Sequence, residues 1–194
     1  MPHFALKTRH SREGGCPNQC RFWQTNNMPS FPGIDPKNHP YVAEMERKTG
    51  GENRFFRVLG HSTGALETFV PLYSNVMGPG ALDLRIKELV YLAVSYVNEC
   101  PYCISAHERS APKAGIGQDE MHNVHMEQDG GFNERERAAL VYARELTRTC
   151  SVDEGRDQLT KLFSNPELVE LTLVIAMANF TNRVNNGLGV DPED

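Results

Sequence analysis

The stretch "ALDLRIKELVYLAVSYV", residues 81–97, decides the fold of this chain of 194 residues. Its apolar side chains recur three and four positions apart, the spacing of one face of an α-helix. They are Leu82, Ile86, Leu89, Ala93 and Val97. The other flank is also apolar, at Leu84, Tyr91 and Leu92. A helix that is hydrophobic all round is buried, so this stretch predicts the central helix of the core.

The segments that follow Pro40 continue the helical pattern. "YVAEMERKT" predicts an amphipathic helix that ends at Gly50, and "ALETFVPLYSNVM" predicts one that is kinked or ended near Pro71. No segment alternates polar and apolar residues convincingly enough for a β-strand. The length and the 39% hydrophobic content suit one domain with a substantial core. We therefore predict an all-α helical bundle, a single domain over residues 36–194.

Residues 1–35 differ from the rest of the chain. "SREGGCPNQC" and "MPSFPGIDPKNHP" are rich in Gly, Pro, Asn and Ser and follow no helical or strand period. This composition predicts an N-terminal arm that is flexible or packs against a neighbouring subunit. Cys16 and Cys20 within it are expected to be inert rather than metal-binding. Met28 is an alternative natural start, in which case the preceding residues have no function.

Composition excludes several classes of function. A net charge of −5, with Lys and Arg scattered along the chain, gives no nucleic-acid-binding surface. The longest apolar runs are interrupted or too short to span a bilayer, and the N-terminus lacks the apolar segment of a secretory signal. We therefore expect a cytoplasmic protein without membrane or nucleic-acid partners. Five cysteines, an odd number, argue against an extracellular disulfide scaffold.

"NECPYCISAH", residues 98–107, follows the predicted core helix and carries the candidate chemistry. Cys100 and Cys103 stand at the start of a second helix, where free backbone N–H groups and the helix dipole favour a thiolate. His107 lies one helical turn beyond Cys103, on the same face. A base beside two thiols suits a peroxide-reducing dithiol, because a sulfenic acid on one thiol condenses with the other. Proximity to His107 favours Cys103 as the attacking thiol, whereas the helix start favours Cys100.

Two other interpretations of the cysteine pair remain open. The spacing C-x2-C-x3-H, with His122 and His125 further along, offers nitrogen and sulfur ligands for zinc. Ligands from adjoining turns of one helix would crowd a tetrahedral ion, however, and these two histidines stand among polar residues typical of a solvated face. The remaining interpretation is that both thiols simply pack in the core.

Glu88 is the second singular residue, because it lies within the nearly all-apolar helix. A carboxylate buried there needs a partner, which makes it a candidate proton acceptor. The alternative is that Glu88 reaches a subunit surface or pairs with Arg85 or Arg183. The residues alone leave both possibilities open.

Glu88, Cys100, Cys103 and His107 together form the pattern E-x11-C-x2-C-x3-H, which appears in full as "ELVYLAVSYVNECPYCISAH". This pattern resembles the signature of the AhpD-like alkylhydroperoxidases of the carboxymuconolactone decarboxylase superfamily. "ANFTNRVNNGLGV" near the C-terminus is similar to the peroxidase-related branch of that superfamily. The resemblance covers roughly residues 55–190 and leaves the N-terminal arm outside it.

The resemblance implies an all-helical protein that assembles into trimers or hexamers and reduces hydroperoxides, with a dithiol reductant and neither cofactor nor metal. It implies that Glu88 and His107 form a proton relay that activates the cysteine pair. Cys103 is then favoured as the peroxidatic thiol and Cys100 as the resolving thiol. Tyr102 stands where well-known members carry a histidine, so it is expected to modulate the activity.

Two functions compete with the peroxidase. Decarboxylases of the same superfamily perform acid–base chemistry on a lactone without needing a dithiol, and a non-enzymatic redox sensor or oligomeric scaffold needs no turnover. The relay also carries a geometric requirement. The first helix must end near Val97 or Asn98 and the chain must turn back, so that a Glu88 carboxylate oxygen lies within direct or one-water reach of His107.

Overall fold

The computed structural model describes residues 30–62, 64–151 and 156–193, and this part of the chain is all-α, as predicted. Its helices, numbered in chain order, are α1 Pro40–Thr49, α2 Arg54–Leu59, α3 Ala65–Met77, α4 Leu84–Val97, α5 Pro101–Ser110, α6 Gln118–His125, α7 Glu134–Thr149, α8 Arg156–Leu162 and α9 Asn165–Leu188. Short 3₁₀ turns, Pro36–Asn38 and Ala111–Ala114, precede α1 and follow α5. None of the described helices is both long and apolar enough to cross a membrane.

Helix α4 is the central element of the bundle, as its sequence predicts. Every side chain from residue 86 to residue 95 is buried. Helices α5, α6, α7 and α9 all pack against it. A helix that is apolar on every side can bury that surface only when it is surrounded, so the sequence of α4 dictates this arrangement.

Two apolar clusters share α4 as their common wall. The larger lies between α4, α3 and α9 and includes Phe69, Ile175 and both cysteines of the C-x2-C pair. The smaller lies between α4, α6 and α7 and includes Val124 and Leu140. The candidate thiols therefore belong to the main core of the protein.

The chain reverses between α4 and α5 within three residues. Helix α4 ends at Val97, and Asn98 closes it. Glu99 then takes the left-handed conformation, with φ of 49°, which few non-glycine residues adopt. Cys100 caps α5, because its Sγ accepts the N–H of Cys103 at 3.4 Å. The predicted end of the first helix near Val97 is confirmed, and α4 and α5 form a helical hairpin.

The predicted interruption at Pro71 is wrong as an end of the helix, since α3 continues to Met77. Proline removes one intrahelical N–H donor. Pro71 and its neighbour Leu72 are exposed, so water can replace the missing donor. A proline on the solvent side is therefore tolerated inside this helix.

The predicted N-terminal arm is described only from residue 30. Outside the described residues lie 1–29, with Cys16, Cys20 and Met28. The N–H of Phe31 donates to the carbonyl of Leu188 at 3.2 Å, and the N–H of Ile34 donates to that of Arg57 at 3.0 Å. Residues 30–35 thus run along α2 and the end of α9.

Lys87 provides a test of the buried polar contacts around α4. Its side chain is fully buried, and its Nζ donates to Glu170 Oε1 at 2.6 Å and to the carbonyls of Val76 and Gly78 at 2.9 and 2.6 Å. Replacing Lys87 by alanine leaves these acceptors without their shared donor. We expect Lys87→Ala to lower the free energy of unfolding by about 3–5 kcal/mol, measured by urea denaturation.

The matched control is Lys48→Ala. Lys48 pairs with Glu44 at 2.6 Å on the exposed face of α1, with about half of each side chain accessible. Such a pair contributes at most about 1 kcal/mol. Equal losses of stability in the two variants would contradict the assignment of Lys87 as a buried structural donor.

Candidate functional site

Glu88 and His107 meet between α4 and α5. His107 Nδ1 lies 2.7 Å from Glu88 Oε2, and each side chain is less than a tenth exposed. A carboxylate only accepts hydrogen bonds, so Nδ1 carries the hydrogen and Nε2 is left to take up or release a proton. The direct contact that the sequence analysis requires is present.

Two further contacts fix the orientation of this pair. The Ser110 hydroxyl donates to the same Glu88 oxygen at 2.8 Å. The ring of Tyr91 stacks on the His107 imidazole, with centroids 3.7 Å apart and planes 18° from parallel. The imidazole is thereby held from one side by an aromatic face and at one nitrogen by a carboxylate.

The alternative partners of Glu88 bond elsewhere. Arg85 Nε donates to Glu136 Oε1 at 2.7 Å, and Arg183 donates to the Asn179 carbonyl at 3.2 Å. Glu88 therefore bonds the imidazole of His107 and not the guanidinium of Arg85 or Arg183.

The cysteine pair is reduced and buried, with Cys100 fully buried and Cys103 3% exposed. A hydrogen bond from the Cys100 thiol is the largest influence on Cys103 and lowers the pKa of Cys103, while burial opposes it. Asn185, Asn182 and Thr181 lower this pKa further through hydrogen bonds. The same bond to Cys103, followed by burial, raises the pKa of Cys100. Cys103 is therefore the more acidic thiol of the pair, and Cys100 is the thiol that donates to it.

Helix α9 supplies the polar surroundings of Cys103. Asn185 Nδ2 donates to Cys103 Sγ at 3.3 Å, and Thr181 Oγ1 hydrogen-bonds the Tyr91 hydroxyl at 2.5 Å. Thr181, Asn182 and Asn185 are all buried, and their spacing places them along one side of the helix. The sequence analysis missed these residues, as well as Tyr91. The available signal was a set of amide and hydroxyl side chains one turn apart in an otherwise apolar helix.

His107 and the thiols are neighbours without direct contact. Among the described residues no hydrogen bond joins the imidazole to either sulfur atom. Tyr91 connects the two groups, because its ring stacks on His107 and its hydroxyl hydrogen-bonds Thr181, a residue that lowers the pKa of Cys103. That Cys103 is the thiol nearer to His107 therefore stays a prediction.

Tyr102, between the two cysteines, makes its contacts on another side of α5. Its hydroxyl donates to Glu193 Oε1 at 2.7 Å, and its ring lies against Phe55 with centroids 6.3 Å apart. Glu193 also accepts from the Arg54 N–H and from Arg109, each at 3.0 Å. Burial, followed by this carboxylate, raises the pKa of Tyr102. Tyr102 thus ties the start of α5 to α2 and to the segment that follows α9.

The histidines of the zinc interpretation do not join the cysteine pair. His122 and His125 are exposed on α6, and His125 stacks on Tyr96 with centroids 4.5 Å apart. Within the described ranges no group of three or more His, Cys, Asp and Glu side chains is placed to hold a metal ion.

Comparison with known proteins finds a family match that includes this site. Residues 64–145, which include Glu88, both cysteines and His107, match the carboxymuconolactone decarboxylase family. The alkyl hydroperoxide reductase AhpD of Mycobacteroides abscessus is 34% identical over 70 residues, which are 36% of this chain and 40% of that protein. The chain spans half or less of the length of most of the curated relatives that it matches.

Solved structures share the fold over a larger part of the chain. An AhpD-core, peroxidase-related protein from Ralstonia eutropha superposes with a TM-score of 0.72 at 22% identity, covering 83% of this chain and 87% of that one. The debrominase Bmp8 superposes with a TM-score of 0.73 at 20% identity, covering 83% and 90%. At these identities the likeness establishes the AhpD-like all-α fold.

The hydrogen bond from the Cys100 thiol to Cys103 can be tested with a cysteine variant. Because the pKa of Cys103 is lowered, its thiolate persists as the pH falls and is lost only when the pH passes through that lowered value. Cys100→Ala removes the largest of the stabilising donors, so the Cys103 pKa should rise. Thiolate ultraviolet absorbance against pH measures it, with the Cys100→Ala, Cys103→Ser double variant as the baseline. An unchanged or lower pKa would contradict donation by Cys100.

Proposed function

We propose that this chain is a thiol-dependent peroxidase that reduces hydroperoxides, because residues 64–145 match the carboxymuconolactone decarboxylase family and the chain is similar to AhpD proteins. The family supports a peroxidase-related function at a general level. The observation that carries the specific proposal is the buried, reduced pair in which the Cys103 pKa is lowered by hydrogen bonds from Cys100 and α9. A lowered thiol pKa beside a second thiol suits a dithiol and disulfide cycle.

In the first step, the Cys103 thiolate attacks the terminal oxygen of a hydroperoxide, ROOH. A sulfur–oxygen bond forms and the oxygen–oxygen bond breaks, so sulfur is oxidised to the sulfenic acid and RO⁻ leaves. RO⁻ takes one proton and departs as the alcohol. Cys103 is the proposed peroxidatic thiol, because it is the thiol whose pKa is lowered.

In the second step, Cys100 attacks the Cys103 sulfenic acid. A disulfide forms, and the hydroxyl leaves as water with the Cys100 proton. A dithiol reductant then opens the disulfide by exchange, becoming oxidised itself and restoring both thiols. The balance of one turnover is ROOH plus a dithiol giving ROH, water and the oxidised reductant.

The proposed role of His107 is to supply the proton that RO⁻ takes. Its Nδ1 is occupied by Glu88, so Nε2 is the nitrogen that exchanges protons. In this proposal the proton passes from Nε2 to the leaving oxygen of the bound hydroperoxide. Glu88 is a positioning residue, because its hydrogen bond to Nδ1 fixes the tautomer and orientation of His107.

We further propose the cytoplasm as the location, since a reducing compartment keeps such a pair in the dithiol form. The proposed partners are the hydroperoxide, a dithiol reductant and further copies of this chain in a homotrimer or homohexamer. With Cys100 fully buried and Cys103 3% exposed, small hydroperoxides are the favoured substrates.

Turnover with tert-butyl hydroperoxide and dithiothreitol tests the cycle. We expect Cys103→Ser to abolish both turnover and sulfenic acid formation, because the nucleophile is gone. Cys100→Ser should form the sulfenic acid once and then stop, because no thiol resolves it. The control is Cys150→Ser, an exposed cysteine outside the site, which should behave as wild type. Equal peroxide consumption by wild type and both site variants would refute the peroxidase and favour a sensor or scaffold.

The Glu88 and His107 pair is tested by its effect on rate and pH profile. Loss of a general acid slows a reaction about 10²–10⁴-fold, the decrease in kcat/KM that we expect for His107→Gln. Glu88→Gln should slow it less and should also alter the pH profile, because it acts through the imidazole. Glu108→Gln, an exposed change on the same helix, is the control. A Glu88→Gln profile identical in shape to that of wild type would rule out a positioning role.

A further inference from the structure

Asn185 is a buried polar residue to which the cycle above assigns no step. Its side chain is 2% exposed, and its Nδ2 donates to Cys103 Sγ at 3.3 Å. Its Oδ1 is buried and has no hydrogen-bond partner among the described residues. A buried acceptor without a donor is destabilising and rare. An empty acceptor next to a reactive sulfur therefore needs an explanation.

Asn182 is a second buried amide on α9, and unlike Asn185 it has no acceptor left without a donor. Asn182 Nδ2 donates to Ser95 Oγ at 3.2 Å, and its Oδ1 accepts from Asn98 Nδ2 at 3.0 Å. Both halves of that amide are therefore satisfied within the protein. On Asn185 only the donor half is used, and that donor points at the sulfur.

The Asn185 amide turns its N–H side towards Cys103 Sγ. In this orientation the N–H group can donate to the sulfur, which a carbonyl oxygen cannot do. Oδ1 belongs to the same planar group as Nδ2. One oxygen atom bound against the sulfur can therefore contact Oδ1 as well.

We propose that Asn185 is a catalytic residue that binds the hydroperoxide group, holding the Cys103 thiolate with its N–H and accepting the O–H hydrogen of the attacked oxygen with its Oδ1. This inference rests on the proposed peroxidase function and names the feature of the substrate that the site recognises. A hydroperoxide carries that hydrogen and a dialkyl peroxide does not, so the site is assigned to hydroperoxides.

The geometry suits the bond changes of the first step. The attacked oxygen keeps its hydrogen as it passes from the peroxide to the sulfenic acid, so its bond to Oδ1 persists throughout. The N–H of Asn185 stabilises the thiolate before attack. One amide thereby aligns nucleophile and electrophile, the positioning that accelerates reactions between two groups.

Two reagents separate the donor and acceptor roles of Asn185. tert-Butyl hydroperoxide carries the O–H hydrogen, whereas methyl methanethiosulfonate reacts with thiolates and has neither an O–H nor an N–H group. Stopped-flow rates are measured for each variant above its own Cys103 pKa, where the thiol is ionised and the donor effect on ionisation is removed. The variants are Asn185→Leu, which lacks both functions, and Asn185→Asp, which keeps an acceptor.

We expect Asn185→Leu to lower the hydroperoxide rate, relative to the thiosulfonate rate, by at least about tenfold, the effect of one lost hydrogen bond. Asn185→Asp should retain most of that ratio, and both variants should raise the Cys103 pKa. The matched control is Asn123→Leu, because Asn123 lies on α6 and its Nδ2 donates to the Gly130 carbonyl at 3.0 Å instead of a sulfur. Circular dichroism checks the fold, and Asn185→Ala replaces the leucine variant if that variant does not fold.

The outcomes distinguish the two proposals. A wild type that reacts with the hydroperoxide, together with an Asn185→Leu variant whose two rates change in parallel, would overturn the Asn185 inference alone. A wild type that reacts with the thiosulfonate but forms no sulfenic acid with the hydroperoxide would overturn the peroxidase function, and the hydroperoxide role of Asn185 with it.

Discussion

The reversal of the chain at Asn98, Glu99 and Cys100 is the constraint on which the candidate site depends. If one helix ran from Glu88 to His107, the two residues would lie about 28 Å apart along its axis. The turn brings them to 2.7 Å instead. It also places Cys100 at the cap of α5, where the Cys103 N–H points at its sulfur. A left-handed glutamate in the middle of the turn is an unfavourable conformation, so surrounding contacts must hold it.

Those contacts come from α9, the helix whose Asn185 also donates to the Cys103 sulfur. Asn98 Nδ2 donates to Asn179 and Asn182 at 3.1 and 3.0 Å, and Asn186 Nδ2 donates to the Asn98 carbonyl at 2.8 Å. Two turns of α9 therefore hold the hairpin through Asn179, Asn182 and Asn186 and hydrogen-bond the Cys103 thiol through Asn185. Hydrogen bonds that share a network strengthen or weaken together, so substitutions along this helix should not act independently.

The sequence was sufficient where the information is local. The all-round apolarity of α4 predicts its burial. The Glu88–His107 contact is predicted by the family resemblance of the pattern, whereas the residues alone leave the partner of Glu88 open. The sequence was insufficient where neighbours come from distant parts of the chain. Asn185 and Cys103 are 82 positions apart in the sequence. The pattern of residues within α9 does not indicate which other helix its asparagine side chains contact. The predicted end of a helix near Pro71 is wrong for another reason. The rule that proline interrupts a helix does not consider whether the missing N–H donor would lie in the core or face water.

The hydrogen bonds that hold the thiolate also influence how easily the proposed disulfide is opened. A disulfide has neither a negative sulfur nor an S–H group, so on oxidation the donors around Cys103 lose their charged acceptor. They therefore stabilise the dithiol relative to the disulfide, as in oxidoreductases whose reduced form is favoured. The pKa of Cys103 is lowered in the folded protein. The donors therefore stabilise the dithiol fully at pH values above the pKa of an unfolded thiol. This stabilisation is lost as the pH falls through the lowered pKa of Cys103. The proposed cycle must reopen its disulfide at every turnover and would benefit from that bias, so the donors proposed to prepare Cys103 for attack would also favour its regeneration.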